Sequence, residues 1–389
     1  MKHLIKVAWT KVFSFCGIKL MIKMKLLIDL SNHNSVYSGV TIYAQRILLG
    51  FVKNGYKDVV ILCHPLIFDV IYKNFSNYVC LKAIQIKGYG ILGKIVSAYL
   101  QGEQINTMDC DIVFRPALSP SMFFIRCNVV QTIHDLQGLR INKGIKKWVT
   151  YSFIGMTLFR SQHIITISNF VEKDIRQFYP MVSPKKIETI YNSVKVEPTI
   201  GTTSPIAGNY LLYVSMIREY KNLITLLKAF NIIKDRITQK LVVIGRPMGD
   251  YFQKVVVPYI QVNRLDRRII LITEPVSNEL LMRYYQYADL LVHPSLLEGF
   301  GYTPIEAAML ETPVLTSKET ALYETTMGLL NYYEPAKDYK ILANRIKEIL
   351  ANPPSQDELR NIAHMLTLQY DMCGQAQKVW KYLERANIK

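Results

Sequence analysis

Acidic side chains are in short supply in this 389-residue chain: 30 Asp and Glu stand against 47 Lys and Arg, a formal charge of +17. The deficit keeps an anionic partner open, either nucleic acid or a membrane surface. It is also uneven, since residues 1–200 hold 25 basic and 11 acidic side chains while residues 201–389 hold 22 and 19. Cysteine is sparse too. The six (Cys16, Cys63, Cys80, Cys110, Cys127 and Cys373) show no C-x-x-C and no Cys/His ligand spacing. That argues against a metal site or a disulfide framework and leaves buried, inert thiols of a reduced, cytosolic protein as the expectation. No uninterrupted apolar run reaches the ~18 residues that a bilayer-spanning helix needs. No Gly-x-Gly-x-x-Gly follows the first strand-like run; SNHNSVYSGV (31–40) stands there instead, which argues against a dinucleotide-dependent oxidoreductase. No aromatic–basic platform or familiar module marks a nucleic-acid binder, so charge alone supports that class. Disorder is excluded, because 50% of the residues are apolar.

At this length two domains are expected. Residues 1–23 carry lysines throughout (Lys2, Lys6, Lys11, Lys19 and Lys23) and no convincing cleavage site, so they read as a basic N-terminal extension rather than a signal peptide. From Lys25 onward short β-branched runs alternate with helical patterns, the signature of parallel α/β sheets. Strands are expected at 25–31, 58–63, 79–84, 111–114, 129–133, 163–167 and 186–191, with a helix from Val40 to about Lys53. The polar stretch EPTIGTTSPIAGN (197–209) reads as a linker. A second alternation then places strands at 210–215, 240–245, 268–273, 289–294 and 313–316, and helix from about Asp357 to the end. The organisation expected is a first domain over 24–200, a second over 206–365, and a C-terminal helix within 366–389 packing back toward the first domain. Two doubly wound sheets would face one another across a cleft at their carboxyl ends.

The most informative segment is HPSLLEGFGYTPIEAAMLETPVLTS (293–317). A buried strand runs into a Gly-x-Gly turn and then a helix near Thr303, with Pro304 in its first turn. Glycines let a backbone come close to a ligand, and a helix start presents free N–H groups to phosphate. Glu298 and Glu306 lie eight positions apart on either side of that turn. Two carboxylates flanking an N–H cradle suit a ligand with phosphate at its centre and hydroxyls at both ends, such as a nucleotide-sugar. The bland alternative is a turn glutamate and a helix glutamate without a ligand.

PSLLEGFGYTPIEA (294–307) resembles the E-x7-E signature of family 4 retaining glycosyltransferases, known also as glycosyl transferases group 1. Further segments resemble the family in the right order: VVQTIHDLQ (129–137), ITISNFVEKDI (165–175), KIETIYNSV (186–194) and YLLYVSMIREYKNLITLLKAF (210–230). The likeness spans roughly residues 25–350. It implies the GT-B fold, two Rossmann-like domains about a cleft, and transfer of a hexose from a nucleotide-sugar. By this resemblance Glu298 would meet the donor sugar, and Glu306 the ribose hydroxyls. Backbone amides of Gly299, Phe300, Gly301, Tyr302 and Thr303 would hold the diphosphate. Lys221 would neutralise the leaving group, with Arg218 replacing the arginine that the family carries where Tyr220 stands. His134, ending a strand beside Asp135, would contact donor hydroxyls or the reacting centre, and Gly39 would be the remaining glycine of an N-terminal glycine-rich loop.

No Asp-x-Asp follows a strand to hold Mg²⁺ on a diphosphate; Asp109-x-Asp111 precedes one. The resemblance implies a metal-independent reaction with no cofactor beyond the GDP- or UDP-hexose substrate. Base contacts are expected from residues 274–276 and the acceptor from loops 85–95 and 115–127. The acceptor would be a surface polysaccharide, such as capsule or lipopolysaccharide, or a lipid-linked oligosaccharide. The protein would be cytoplasmic and peripheral on the inner face of the cell membrane, drawn there by its basic first half, with no nucleic-acid partner. A two-domain sugar epimerase shares the fold but not this order of motifs.

Overall fold

A computed structural model describes residues 24–36, 38–86, 90–199 and 203–387. The basic extension at 1–23 and Cys16 lie outside them. The first sheet has seven strands: β1 (Leu26–Leu30), β2 (Val59–Cys63), β3 (Val79–Lys82), β4 (Ile112–Arg115), β5 (Asn128–Ile133), β6 (His163–Thr166) and β7 (Ile187–Thr189). Their order is β3-β2-β1-β4-β5-β6-β7 and every pairing is parallel. The second sheet has six: β8 (Tyr210–Val214), β9 (Lys240–Ile244), β10 (Ile269–Ile272), β11 (Leu290–His293), β12 (Val314–Ser317) and β13 (Asn331–Tyr333). Its order is β10-β9-β8-β11-β12-β13, again wholly parallel. The fold is thus the α/β pair of Rossmann-like sheets expected.

Continuous apolar runs make these strands. LLIDL in β1 is buried throughout, as a strand covered by helices on both faces must be. Each sheet reverses its strand order once, between β1 and β4 and between β8 and β11, and ligands of such sheets bind at the carboxyl ends there. β13 escapes sequence reading: NYY is three residues at a sheet edge, too short for a period. The helical tail is two helices rather than one, Gln356–Gln369 and Met372–Asn387, separated at Tyr370 and Asp371.

The Met372–Asn387 helix packs on the first domain's Gly39–Lys53 helix. A side chain at Gly50 would meet Ala376 Cβ at 2.4 Å, so glycine there permits the close crossing. Tyr382 donates to the carbonyl of Lys186 at 2.7 Å, and Gln375 Oε1 accepts from Ser193 N at 3.0 Å. The chain therefore crosses between domains twice. Of the described cysteines only Cys63 is buried; Cys80, on the edge strand β3, and Cys110, Cys127 and Cys373 are partly exposed.

Candidate active site

β11 ends at His293, and the chain turns through Pro294 to Gly301 before the Tyr302–Met309 helix. Gly301 takes φ +89°, a left-handed conformation natural to glycine, where a side chain would strike Leu322. This turn sits at the second sheet's switch point and holds Glu298, a buried carboxylate. Lys221 Nζ donates to Glu298 Oε1 at 2.5 Å, and His293 Nε2 lies 3.0 Å from the same oxygen. Burial disfavours the charge, but Lys221 and the His293 hydrogen bond outweigh it and hold the carboxyl at about 2. Lys221 closes a short 3₁₀ turn, Glu219–Lys221, ahead of the Leu223–Ile233 helix. Asn222 fixes that junction by donating to the carbonyls of Pro294 and Ala336 at 3.0 and 2.9 Å. On the same loop the Arg218 Nε is buried without a partner among the described residues.

Beside this turn a cavity of about 870 Å³ opens at the carboxyl ends of β8, β9 and β10. Ser215, Gly245, Arg246 and residues 274–276 line it. Its volume is within the range of small-molecule and cofactor sites. Lys221, Glu298 and Glu306 are not in its wall; they stand further toward the first domain.

Glu306 projects from the Tyr302–Met309 helix and is largely buried. Arg46 of the Gly39–Lys53 helix reaches across the cleft, its Nη2 3.9 Å from Glu306 Oε1 and its guanidinium 5.3 Å from the Tyr302 ring centre. Tyr285 Oη donates to Glu306 Oε2 at 3.4 Å. Burial raises the Glu306 carboxyl, and Arg46 with the Tyr285 hydrogen bond offsets only part of this.

From the first domain, His134 follows β5. Its Nε2 donates to the Pro116 carbonyl at 2.7 Å, which leaves Nδ1 as the acceptor, and burial lowers its affinity for a second proton. Asp135 is raised by burial and feels both Lys221 and Glu298, so these groups share one electrostatic neighbourhood. Gly299 is what lets the domains meet here: a Cβ would lie 2.2 Å from the His134 carbonyl oxygen and 3.2 Å from Asp135 Cβ. Sequence reasoning assigned the turn's glycines to a ligand, whereas Gly299 lies against protein. Ser168 Oγ donates to the Gly299 carbonyl at 2.7 Å. Glu324 of the second domain accepts from Asn169 N at 2.6 Å and Phe170 N at 3.0 Å, at the positive end of the Asn169–Phe178 helix. The two sheets are therefore held together across the cleft.

Gly39 starts its helix with open space around it, at the carboxyl side of β1. The Phe300 carbonyl accepts from Thr325 Oγ1 at 2.5 Å, and Tyr302 Oη is buried without a partner among the described residues. Thr303 follows it in the first turn of that helix, near Tyr285. Asp109 and Asp111 pair with Lys25 at the amino end of β4, the opposite edge from the cleft. Sequence reasoning missed Arg46 and Glu324, whose partners lie far away in the chain. His293 could have been found, as the last residue of the strand that carries the motif.

Residues 203–365 match the family described as Glycosyl transferases group 1, and residues 37–198 match Glycosyltransferase Family 4. Over 260 residues the chain is 30% identical to the O-antigen chain mannosyltransferase RfbU of Salmonella typhimurium, covering 66% of this chain and 69% of that one. It is 25% identical to the capsular polysaccharide biosynthesis glycosyltransferase CapM of Staphylococcus aureus, over 65% of this chain and 68% of the relative. In fold it resembles a glycosyltransferase from Rickettsia africae (TM-score 0.74, 16% identity, 95% of this chain and 100% of that one). It likewise resembles Anabaena Alr3699/HepE in complex with UDP and glucose (TM-score 0.71, 16% identity, 93% and 100%). The two domain matches fall on the two sheets in turn, and together with the RfbU identity they establish that this chain belongs to the glycosyltransferases of group 1 and family 4.

Proposed function

We propose that the protein transfers a hexose from a GDP- or UDP-sugar, with retention of anomeric configuration, to a surface polysaccharide or lipid-linked oligosaccharide at the cytoplasmic membrane face. The observation that carries the reading is the Lys221–Glu298 pair beside a nucleotide-sized cavity, opposite His134. The base would occupy the cavity, the ribose would lie between it and Glu306, and the diphosphate would lie along residues 300–303 with Lys221 and Arg218 as its cations. Glu298 would turn from Lys221 to the sugar hydroxyls. Lys221, thereby freed, would stabilise the charge that develops on the departing diphosphate. The acceptor hydroxyl would attack from the face the diphosphate leaves, its proton passing to a phosphate oxygen as the glycosidic bond forms. No metal is assigned a role. The RfbU likeness and the glucose in the Anabaena structure support a hexose. Nucleotide release measured across GDP- and UDP-hexoses tests this; equal turnover by wild type, Lys221→Ala and Glu306→Ala would sink it.

A further inference from the structure

The helix Gly144–Arg160 is apolar on two opposite sides. One side, with Ile154 and Leu158, is buried in the first domain. The other carries Ile145, Trp148, Val149, Met156 and Phe159 at helical spacing, all facing solvent; Ile145 is 83% and Trp148 69% exposed. A solvent-facing helix ordinarily shows its polar side there. A neighbouring helix, Gly90–Asn106, repeats the anomaly with Leu92 (63% exposed) and Ile95. The Pro120–Phe124 turn bridges the two helices, through Phe124 edge-on to Tyr99 at 5.3 Å and Phe123 against Phe153 at 6.3 Å. The result is one continuous apolar face rather than scattered exposed side chains.

Its charge is mainly positive, since the one acidic residue of the Gly90–Asn106 helix, Glu103, is paired with Arg126. Between Asp135 and Glu172 the sequence has no acidic residue. Lys94, Lys143 and Lys146 are exposed beside the apolar stripe. Lys147 is exposed too but lies across the helix from it, in line with Ile154, while Arg140 is engaged by Asp174. Its position follows from topology. Each helix links one parallel strand to the next, β3 to β4 and β5 to β6, and so runs from the carboxyl edge back to the amino edge. Leu92, Ile95, Ile145 and Trp148 lie in the first halves of their helices, toward the cleft rim, while Met156 and Phe159 carry the stripe away from it toward the amino edge.

We infer that this face docks the protein on an anionic lipid bilayer, with the apolar stripe among the acyl chains and Lys94, Lys143 and Lys146 at the headgroups. Tryptophan and lysine around an apolar stripe are the composition of an interfacial helix. A second copy of the chain is a poorer occupant, because a two-fold contact on this face would set the lysines of both copies against one another. The inference deepens the membrane-face part of the proposed function, and the docking reading stands or falls separately from turnover.

The full chain is floated with phosphatidylglycerol/phosphatidylcholine vesicles and with phosphatidylcholine alone, and nucleotide release is measured in parallel without vesicles. Binding is expected for the anionic vesicles and to weaken with salt. Ile145→Ser/Trp148→Ser should reduce it at least about tenfold. Lys94→Glu/Lys143→Glu/Lys146→Glu should reduce it by about fivefold or more per lysine. Nucleotide release should be unchanged in both variants, since none of these residues reaches Lys221 or Glu298. A wild type that ignores anionic vesicles overturns the inference, as do variants that float like wild type or a double variant that instead changes the oligomeric state. Protein that floats as expected but releases no nucleotide from any donor upholds the docking face and counts against the transfer reading alone.

Discussion

Lys221 Nζ and Glu298 Oε1 form a 2.5 Å ion pair between two loops 77 positions apart, with both side chains about nine-tenths buried. Each stands at the carboxyl end of a strand flanking the second sheet's switch point. Without substrate each neutralises the other, so donor binding must exchange one buried partner for another rather than create a charge.

Lys221→Ala leaves Glu298 buried without its cation. The Glu298 carboxyl, held at about 2, should then rise, since burial pushes it upward and only His293 is left to oppose it. The variant should lose about 3–5 kcal/mol at pH 7, as expected when one partner of a buried pair is removed. The sign in wild type follows from a depressed carboxyl: the stabilisation is complete above about 4.5 and disappears as pH falls toward 2. Urea melts of both proteins between pH 3 and 7 check this. Parallel curves would refute it.

Gly299→Ala inserts a methyl 2.2 Å from the His134 carbonyl, which is backbone and cannot swing away. The domains should be forced apart at a cost of about 1–3 kcal/mol. Turnover should fall at least tenfold while each domain keeps its fold. Scattering radius and nucleotide release are the measurements, and a compact, fully active variant would contradict the close approach.

His33 is pushed down to about 4, first by burial and then by His134, Arg115 and His64, with Asp29 opposing. An imidazole kept neutral in the folded state stabilises fully above the ordinary 6.5, and that stability is lost as pH falls from 6.5 toward 4. On the order of 2 kcal/mol of acid sensitivity should vanish in His33→Gln. Chemical melts at pH 7.5 and 5 decide it.

Arg46→Ala removes the charge that offsets burial at Glu306, so this carboxyl should rise further. If Glu306 holds ribose hydroxyls in its ionised form, donor KM should climb more steeply below pH 7 in the variant than in wild type, with kcat less affected. Initial rates between pH 5.5 and 8 test this, and superimposable KM profiles would remove Arg46 from the site.

The sheets were legible because parallel strands are long apolar runs, and KLLIDLS or KLVVIG can hardly fold otherwise. β13 was not, since three edge residues have no pattern. Glu298 and Glu306 were legible because a glycine turn ties them together locally. Arg46, 260 positions from Glu306, carries no such signal.

The sequence alone determined the two α/β domains, the strand-turn-helix around Glu298, and the basic bias of the first half. All of these depend on local periodicity, turn chemistry or composition. Tertiary structure decided that Gly299 meets His134, that Glu324 meets the Asn169–Phe178 helix, and that Lys221 meets Glu298. It also decided that exposed lysines such as Lys94 and Lys146 share their helices with an apolar face, while others, such as Lys53, Lys73 and Lys185, are spread over the rest of the domain. Long-range pairs of this kind arise from how two sheets pack, and packing leaves no period in the chain.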